Sequence, residues 1–193
     1  MTLLVTKEAP DFTANAVLPD GSIETLKLSS YRGKNVVLFF YPMDFTFVCP
    51  TEIIAFDEKI SEFEKRNTQV LGISVDSQFS HFAWRETERK NGGIGRISYP
   101  LISDMTKKIS SDYGVLLDEG VALRGLFLID KNGVIRHQIV NDLPLGRSID
   151  EAVRMVDALN TFETVGEVCP ANFKPGDKTM KTSREGLKEY FSK

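Results

Sequence analysis

Val36-Val37-Leu38-Phe39-Phe40-Tyr41 is an unbroken run of β-branched, aliphatic and aromatic residues, and it leads through Pro42 and the linker behind it to Cys49-Pro50-Thr51-Glu52. Beyond that point Ile53, Phe56, Ile60 and Phe63 recur at helical spacing among Glu52, Asp57, Glu58, Lys59, Glu62 and Lys65. A run that is apolar at every position reads as a strand covered on both faces. The spaced set reads as an amphipathic helix of about four turns. A strand feeding a helix in this way is the repeating unit of an α/β sheet.

The unit recurs down the chain. Residues 69–75 (QVLGISV) read as a second buried strand and 78–90 as a second helix, followed by a loop carrying Asn91-Gly92-Gly93-Ile94-Gly95. A short strand at 99–102 leads into a helix around 105–113. Leu126-Phe127-Leu128-Ile129 and the run 134–140 flank Asp130-Lys131-Asn132-Gly133, and Asn-Gly between apolar runs signals a hairpin. Ser148-Ile149-Asp150-Glu151 is a capping box that opens a helix with Val153, Val156 and Leu159 on its inner face. Near the start, Pro19-Asp20-Gly21-Ser22 marks a turn between two short strands. After about Val165 prolines, Gly176 and scattered lysines replace the pattern, which reads as an arm laid over another surface. The expected architecture is a three-layer α/β fold with a mixed sheet and a thioredoxin-like core. A flavodoxin-like sheet is the alternative, and the hairpin argues against it. The expected division is 1–165 for the main domain and 166–193 for the arm.

Composition removes several function classes. The chain has 193 residues, 24 basic against 27 acidic, and a net charge of −3, so no basic excess exists to hold nucleic acid or an anionic membrane. No apolar run approaches the ~18–20 residues that cross a bilayer. Residues 1–10 offer only Leu3-Leu4-Val5 in a row before Lys7, which is not the pattern of a secretory leader. The expected compartment is the cytoplasm. Two cysteines and two histidines make neither a disulfide framework nor a recognisable zinc spacing, so no metal is expected. Gly93-Ile94-Gly95 lacks the third glycine of a dinucleotide fingerprint and follows a helix rather than a strand. No cofactor is expected either. His81, His137, Phe82 and Trp84 carry no catalytic signature and read as ordinary face and packing residues.

Cys49 is different. It stands where a buried strand hands over to a helix, and the unpaired N–H groups and positive dipole end of a helix start favour an anion. Only the thiolate is a good nucleophile. A lone cysteine is often a small buried hydrophobe, but Pro42, Thr46 and the helix start together point to chemistry. A helix start alone is insufficient: raising a thiolate fraction about 30-fold is worth ~2 kcal/mol, whereas enzymes commonly gain ~8 kcal/mol or more. Donors must therefore face the charge that develops in the transition state. Thr46 offers a hydroxyl, and Arg124, just ahead of the strand at 126–129, is the best cation. Cys169, in Val168-Cys169-Pro170, lies far along the chain, unlike the C-x-x-C of a thioredoxin-type reductase. Such remote pairing suits a cycle in which one thiol is oxidised and a second resolves it.

These residues closely resemble those of the typical two-cysteine peroxiredoxins, the family that includes alkyl hydroperoxide reductase C. The likeness runs from Ala9-Pro10-Asp11-Phe12 to Tyr190-Phe191, and the P-x-x-x-T-x-x-C pattern at Pro42, Thr46 and Cys49 is its most specific part. The resemblance implies that Cys49 is the peroxidatic cysteine and that Thr46 and Arg124 hold the peroxide oxygens. It implies that Pro42 shields the site and that Glu52 and Arg147 position the arginine. Cys169 of a partner subunit would resolve the sulfenic acid, and a thioredoxin-like or flavoprotein disulfide reductase would clear the disulfide. The implied assembly is a homodimer built into a decamer, with Phe45, Ser77 and Phe79 at the dimer–dimer contact. Gly92-Gly93-Ile94-Gly95 and Tyr190-Phe191 stand where the family carries motifs linked to overoxidation, with Ile94 in place of the usual Leu. Because a disulfide needs Cα atoms within ~7 Å, Cys49 and Cys169 can meet only after local unwinding, and we expect Tyr190 and Phe191 to pack over the Cys49 helix. A holdase chaperone and a general disulfide exchanger are the rival readings.

Overall fold

In β3 (Asn35–Phe40) every residue is buried, because successive side chains point to opposite faces and both faces are covered. Val37, Phe39 and the following Tyr41 enter one apolar cluster; Val36, Leu38 and Phe40 enter the other. The computed structural model describes residues 3–192. Met1 and Thr2, at the head of the stretch read for a leader, and Lys193, at the end of the arm, lie outside them.

Around β3 lie β1 (Thr13–Val17), β2 (Ile23–Lys27), β4 (Thr68–Ser74), β5 (Leu101–Ser103), β6 (Arg124–Ile129) and β7 (Ile135–Asn141). They form one seven-stranded sheet in the order β2-β1-β5-β4-β3-β6-β7. β3 pairs parallel with β4, and β4 with β5; β1–β2, β1–β5, β3–β6 and β6–β7 are antiparallel. The mixed sheet is thioredoxin-like, and the antiparallel β6–β7 hairpin excludes the all-parallel alternative. Its turn is built by Asp130, whose Oδ1 accepts the amides of Asn132 and Val134, both at 2.9 Å, while Gly133 takes the positive φ of 85° that such a turn needs.

The stripe from Ile53 to Phe63 is not one helix. It is α1 (Cys49–Glu58) and α2 (Ile60–Glu64), separated at Lys59 with φ −102° and ψ 6°. The break sends Phe63 back onto Phe56, ring centroids 5.9 Å apart, while Phe56 stacks on Phe39 at 4.3 Å. Apolar spacing alone is blind to such a break. The helix expected over 78–90 is α3 (Gln78–Glu86) and a separate 3₁₀ turn, and the helix at 105–113 shrinks to α4 (Lys108–Asp112). α5 (Ile149–Val165) begins with half of the expected capping box: the Ser148 hydroxyl accepts the Glu151 amide at 3.3 Å, while the Glu151 carboxylate accepts from Arg154 at 2.6 Å instead of turning back to Ser148. Its buried face is Ile149, Ala152, Val156 and Leu159, so Val153 sits at the edge of the stripe rather than inside it. Gly166, at φ 75°, ends the helix.

The arm has structure the sequence reading did not foresee. Val168 and Met180 exchange backbone hydrogen bonds at 3.0 Å, and Phe173 is buried. A final helix, α6 (Arg184–Phe191), starts at Ser183, whose hydroxyl accepts the Gly186 amide at 3.0 Å. Tyr190 and Phe191 stack edge-on against each other, Tyr190 borders a cleft lined by Glu167, Met180 and Gly186 of the same arm, and Phe191 is 72% exposed. Within one chain they do not cover the Cys49 helix, because α6 leans on its own arm.

Candidate active site

Cys49 is the first residue of α1, with Pro50 behind it, and is fully buried. Val48, the residue before the helix, supplies no side-chain cap; Pro50 has no N–H, and the Thr51 and Glu52 amides donate to the Val48 carbonyl at 3.0 and 3.4 Å, so what the helix start offers Cys49 is the positive end of its dipole. The linker that delivers Cys49 is fixed from below. The Asp44 amide donates to Asp76 Oδ2 at 2.9 Å, and the Ser74 hydroxyl donates to the same oxygen at 2.6 Å. Asp44 also meets the Tyr41 hydroxyl at 2.9 Å and His81 Nδ1 at 2.8 Å. Burial, and then the neighbouring Asp44 charge, push the Asp76 carboxyl above its ordinary range. Pro42 is buried at the start of this linker.

Opposite the sulfur is Arg124, the first residue of β6, whose Nη1 donates to Cys49 Sγ at 3.5 Å and to Glu52 Oε2 at 2.7 Å. Its Nε donates to the Leu143 carbonyl at 2.7 Å. An arginine at a strand edge is usually solvated; here it is buried, because Glu52 and Leu143 replace its water. Glu52 is the hub. Its Oε1 accepts the Arg147 amide at 2.8 Å and Nε at 2.7 Å, and its Oε2 accepts Arg147 Nη2 at 2.9 Å. Arg147 completes its donors on the carbonyls of Phe40, at 2.9 Å, and Gly125, at 2.6 Å, and lies over the Phe39 ring. Burial alone would raise the Glu52 carboxyl. The hydrogen bonds and charge of Arg147, joined by the charge of Arg124, outweigh it and hold the group below its ordinary value. A Cβ on Gly125 would fall 2.8 Å from a methyl of Val115, so a larger residue here would have to displace that side chain.

The site residues inferred from sequence therefore divide. Cys49, Arg124, Glu52 and Arg147 form one contiguous buried cluster. Thr46 belongs to the linker rather than the helix, and its hydroxyl donates to the Met43 carbonyl at 2.9 Å, not to the sulfur. Cys169 takes no part in the cluster's bonds: its thiol donates to the Ala158 carbonyl of α5 at 3.3 Å. Burial raises it above the usual thiol range, against a lowering backbone hydrogen bond at Phe162. Ser77 caps α3, its hydroxyl accepting the Ser80 amide at 3.1 Å. Phe45 and Phe79 are 53% and 67% exposed.

Sequence reasoning missed His81 as part of this neighbourhood. It is fully buried and its Nε2 donates to the Ile102 carbonyl at 3.1 Å; a lone histidine on a helix gives no pattern to find. Phe82, expected to pack, is instead 41% exposed, while Trp84 does pack in the core. No helix of the described residues is long and apolar enough to cross a membrane.

A cysteine sulfur at a helix start, with a fixed guanidinium beside it, suits attack on a neutral electrophile whose leaving group departs with negative charge. Known proteins agree. Residues 5–138 match the model of the AhpC/TSA family, and residues 158–193 match that of the C-terminal domain of 1-Cys peroxiredoxin. The chain is 60% identical to mouse Peroxiredoxin-2 over 97% of this chain and 94% of that one. It is 58% identical to a Drosophila melanogaster protein named Thioredoxin-dependent peroxide reductase, mitochondrial, over 98% and 82%. Reduced Plasmodium vivax 2-Cys peroxiredoxin superposes with a TM-score of 0.97 at 50% identity over the whole of both chains. The chain belongs to the AhpC/TSA family and, within it, to the two-cysteine peroxiredoxins, thiol-dependent peroxidases.

Proposed function

We propose that Cys49 carries the peroxidase chemistry, with Arg124 as the donor that stabilises charge at the reacting oxygens. The Arg124 Nη1 contact to Cys49 Sγ at 3.5 Å, inside a buried cluster, is the observation that carries this reading. The sulfur attacks one peroxide oxygen, the O–O bond breaks, and the other oxygen leaves as water or alcohol after taking a proton. The guanidinium, already fixed by Glu52 and Leu143, needs no reorganisation as charge shifts onto oxygen. Glu52 and Arg147 act as positioning residues. Thr46 turns its hydroxyl from Met43 to the peroxide when substrate enters, and Pro42 keeps water from the sulfur.

The Cys49 sulfenic acid then condenses with the Cys169 thiol of a partner subunit, forming a disulfide and releasing water. The arm, residues 166–193, serves as the carrier of that second thiol. β7 is the last strand of the sheet, and among the described residues only its first, Ile135, bonds backbone to the N-terminal segment, at Thr6 and Lys7; the edge beyond Ile135 supports pairing with a second copy. Exposed Phe45 and Phe79, with Ser77 between them in sequence, supply an apolar face for assembly of dimers into a decamer. A thioredoxin-like or flavoprotein reductase restores both thiols. Two free cysteines suit a reducing cytoplasm, and cell fractionation checks that setting. Peroxide consumption with a thioredoxin system tests the whole reading: turnover lost in Cys49→Ser supports it, and turnover retained there refutes it.

A further inference from the structure

Between residues 166 and 192 the arm buries a single side chain, that of Phe173, which is 2% exposed. The ring belongs to neither of the two apolar clusters of the body. Its carbonyl accepts from Arg154 Nη1 of α5 at 3.3 Å. Arg154 is held in turn by Glu151, one turn back on the same helix, through two bonds at 2.6 Å. The attack on peroxide uses none of these residues.

The same contacts bracket Cys169. On one side Val168 exchanges backbone bonds with Met180 at 3.0 Å, and the Thr179 hydroxyl donates to the Glu167 carboxylate. On the other, residues 170–173 close a turn. The Phe173 amide donates to the Pro170 carbonyl at 3.2 Å, and Asn172 takes φ 61°, a conformation that asparagine tolerates. Between these fixed points the Cys169 thiol donates to the Ala158 carbonyl at 3.3 Å. Arg154 and Ala158 are four apart on α5, so Phe173 and Cys169 dock on one stripe of that helix. A thiol is a weak donor. The Arg154–Glu151 pair, with side chains 28% and 40% exposed, adds little by itself. The buried ring is therefore the contact that keeps the turn, and the thiol with it, on the helix.

Deepening the reading of Cys169 as the resolving thiol, we propose that Phe173 is its positioning residue. The buried ring, clasped by Arg154, seats the thiol on α5 and shields it from small electrophiles between turnovers. Only a thiolate exchanges with a disulfide. In that exchange the Cys169 proton goes to solvent and the sulfur attacks one sulfur of the small disulfide. The S–S bond breaks, a mixed disulfide forms, and the other half leaves as a thiolate. A thiol that is half-buried and donating to a carbonyl is disfavoured in this step, and burial holds Cys169 above the usual thiol range. An unseated thiol forms such mixed disulfides and drops out of the cycle.

The test uses the full chain carrying Cys49→Ser, in which Cys169 is the sole thiol. Its reactions with iodoacetamide and, separately, with oxidised glutathione are followed by mass spectrometry across pH. Adding Phe173→Ala raises both rates at neutral pH by ~10-fold or more, because the turn opens more readily. The midpoint of the rate–pH profile falls toward that of a free thiol, about 8.5. Phe173→Leu, which keeps most of the buried volume, lies between the two. Arg154→Met raises the rates about twofold to threefold, as loss of a partly exposed clasp does. A rate and midpoint in Phe173→Ala equal to the parent's overturn the proposal. So does a rise matched by faster hydrogen exchange of the β3 amides, which marks a chain loosened throughout. If Phe173→Ala does not fold, Phe173→Leu and Arg154→Met are read against the parent, and parent values in both overturn it. Cycling retained in Cys169→Ser removes the resolving reading, and it is told apart because the alkylation rates do not depend on turnover.

Discussion

Cys49 and Cys169 are the same side chain in opposite settings. The first is fully buried at a helix start, 3.5 Å from a guanidinium that a carboxylate and a carbonyl hold in place. The second is half-buried on the arm, held by one weak bond to Ala158, with burial keeping it protonated. Around Cys49 the cluster is tied to the sheet by Arg124 of β6 and by Arg147 on the carbonyls of Phe40 and Gly125; around Cys169 the contacts come from α5 and from the arm itself. The difference separates two demands that one site cannot meet together. Fast attack on peroxide needs a rigid, preorganised pocket. Meeting a second sulfur within ~7 Å between Cα atoms needs a segment that can move.

The largest effect that can break this comparison is expected at the rigid sulfur. Cys49→Ser abolishes peroxide reduction, since a hydroxyl is negligibly ionised at neutral pH; a steady-state assay showing residual turnover above a few per cent of wild type contradicts it. Arg124→Ala comes next, slowing the first oxidation by at least ~100-fold while the fold survives, as loss of one preorganised donor does. Stopped-flow oxidation of the reduced variant measures it, and a loss below about threefold takes Arg124 out of the mechanism. Cys169→Ser leaves that first step intact and halts cycling after a single turnover, with Cys49 trapped as sulfenic acid. Full cycling on a thioredoxin-type donor refutes the resolving role.

The smallest effect concerns the anchor beneath the rigid site. Glu52→Gln destabilises the chain by about 3–5 kcal/mol in denaturant at neutral pH, because two buried arginines lose their counter-charge. The Glu52 carboxyl sits below its ordinary 4.5 in the folded chain. Its contribution is therefore present above that value and is lost as pH falls through the folded value. The gap between wild type and Glu52→Gln narrows in acid, and a gap independent of pH counts against Glu52 as the ionised hub.

How much of this was legible in sequence follows the same division. β3 and the β6–β7 hairpin could be read because burial on both faces and an Asp-x-Asn-Gly turn leave local patterns. Cys49 could be read because a strand-to-helix junction is itself a local feature. The break at Lys59 could not, since it is fixed by Phe63 turning back on Phe56 rather than by any breaker residue. The burial of Arg124 and the Asp44–His81 contact depend on residues that only the fold brings together. The bond of the Thr46 hydroxyl to the Met43 carbonyl could not be read either, since spacing to Cys49 says nothing of where a linker hydroxyl turns. The arm was least legible: α6 is short and polar on most sides, and of its two terminal aromatics only Tyr190 borders the arm's own cleft. Exposed Phe191 leaves room for a partner surface that one chain does not contain.

The division of labour between the two sulfurs is tested most directly by mapping the bond they form. Reduced protein is mixed with one equivalent of hydrogen peroxide, alkylated, digested without reduction and analysed by mass spectrometry, with non-reducing electrophoresis alongside. The account predicts a peptide containing Cys49 joined to one containing Cys169, in a covalent dimer that reductant returns to monomer. A Cys49–Cys49 link, or a Cys49–Cys169 link in a species that migrates as a monomer, would contradict it.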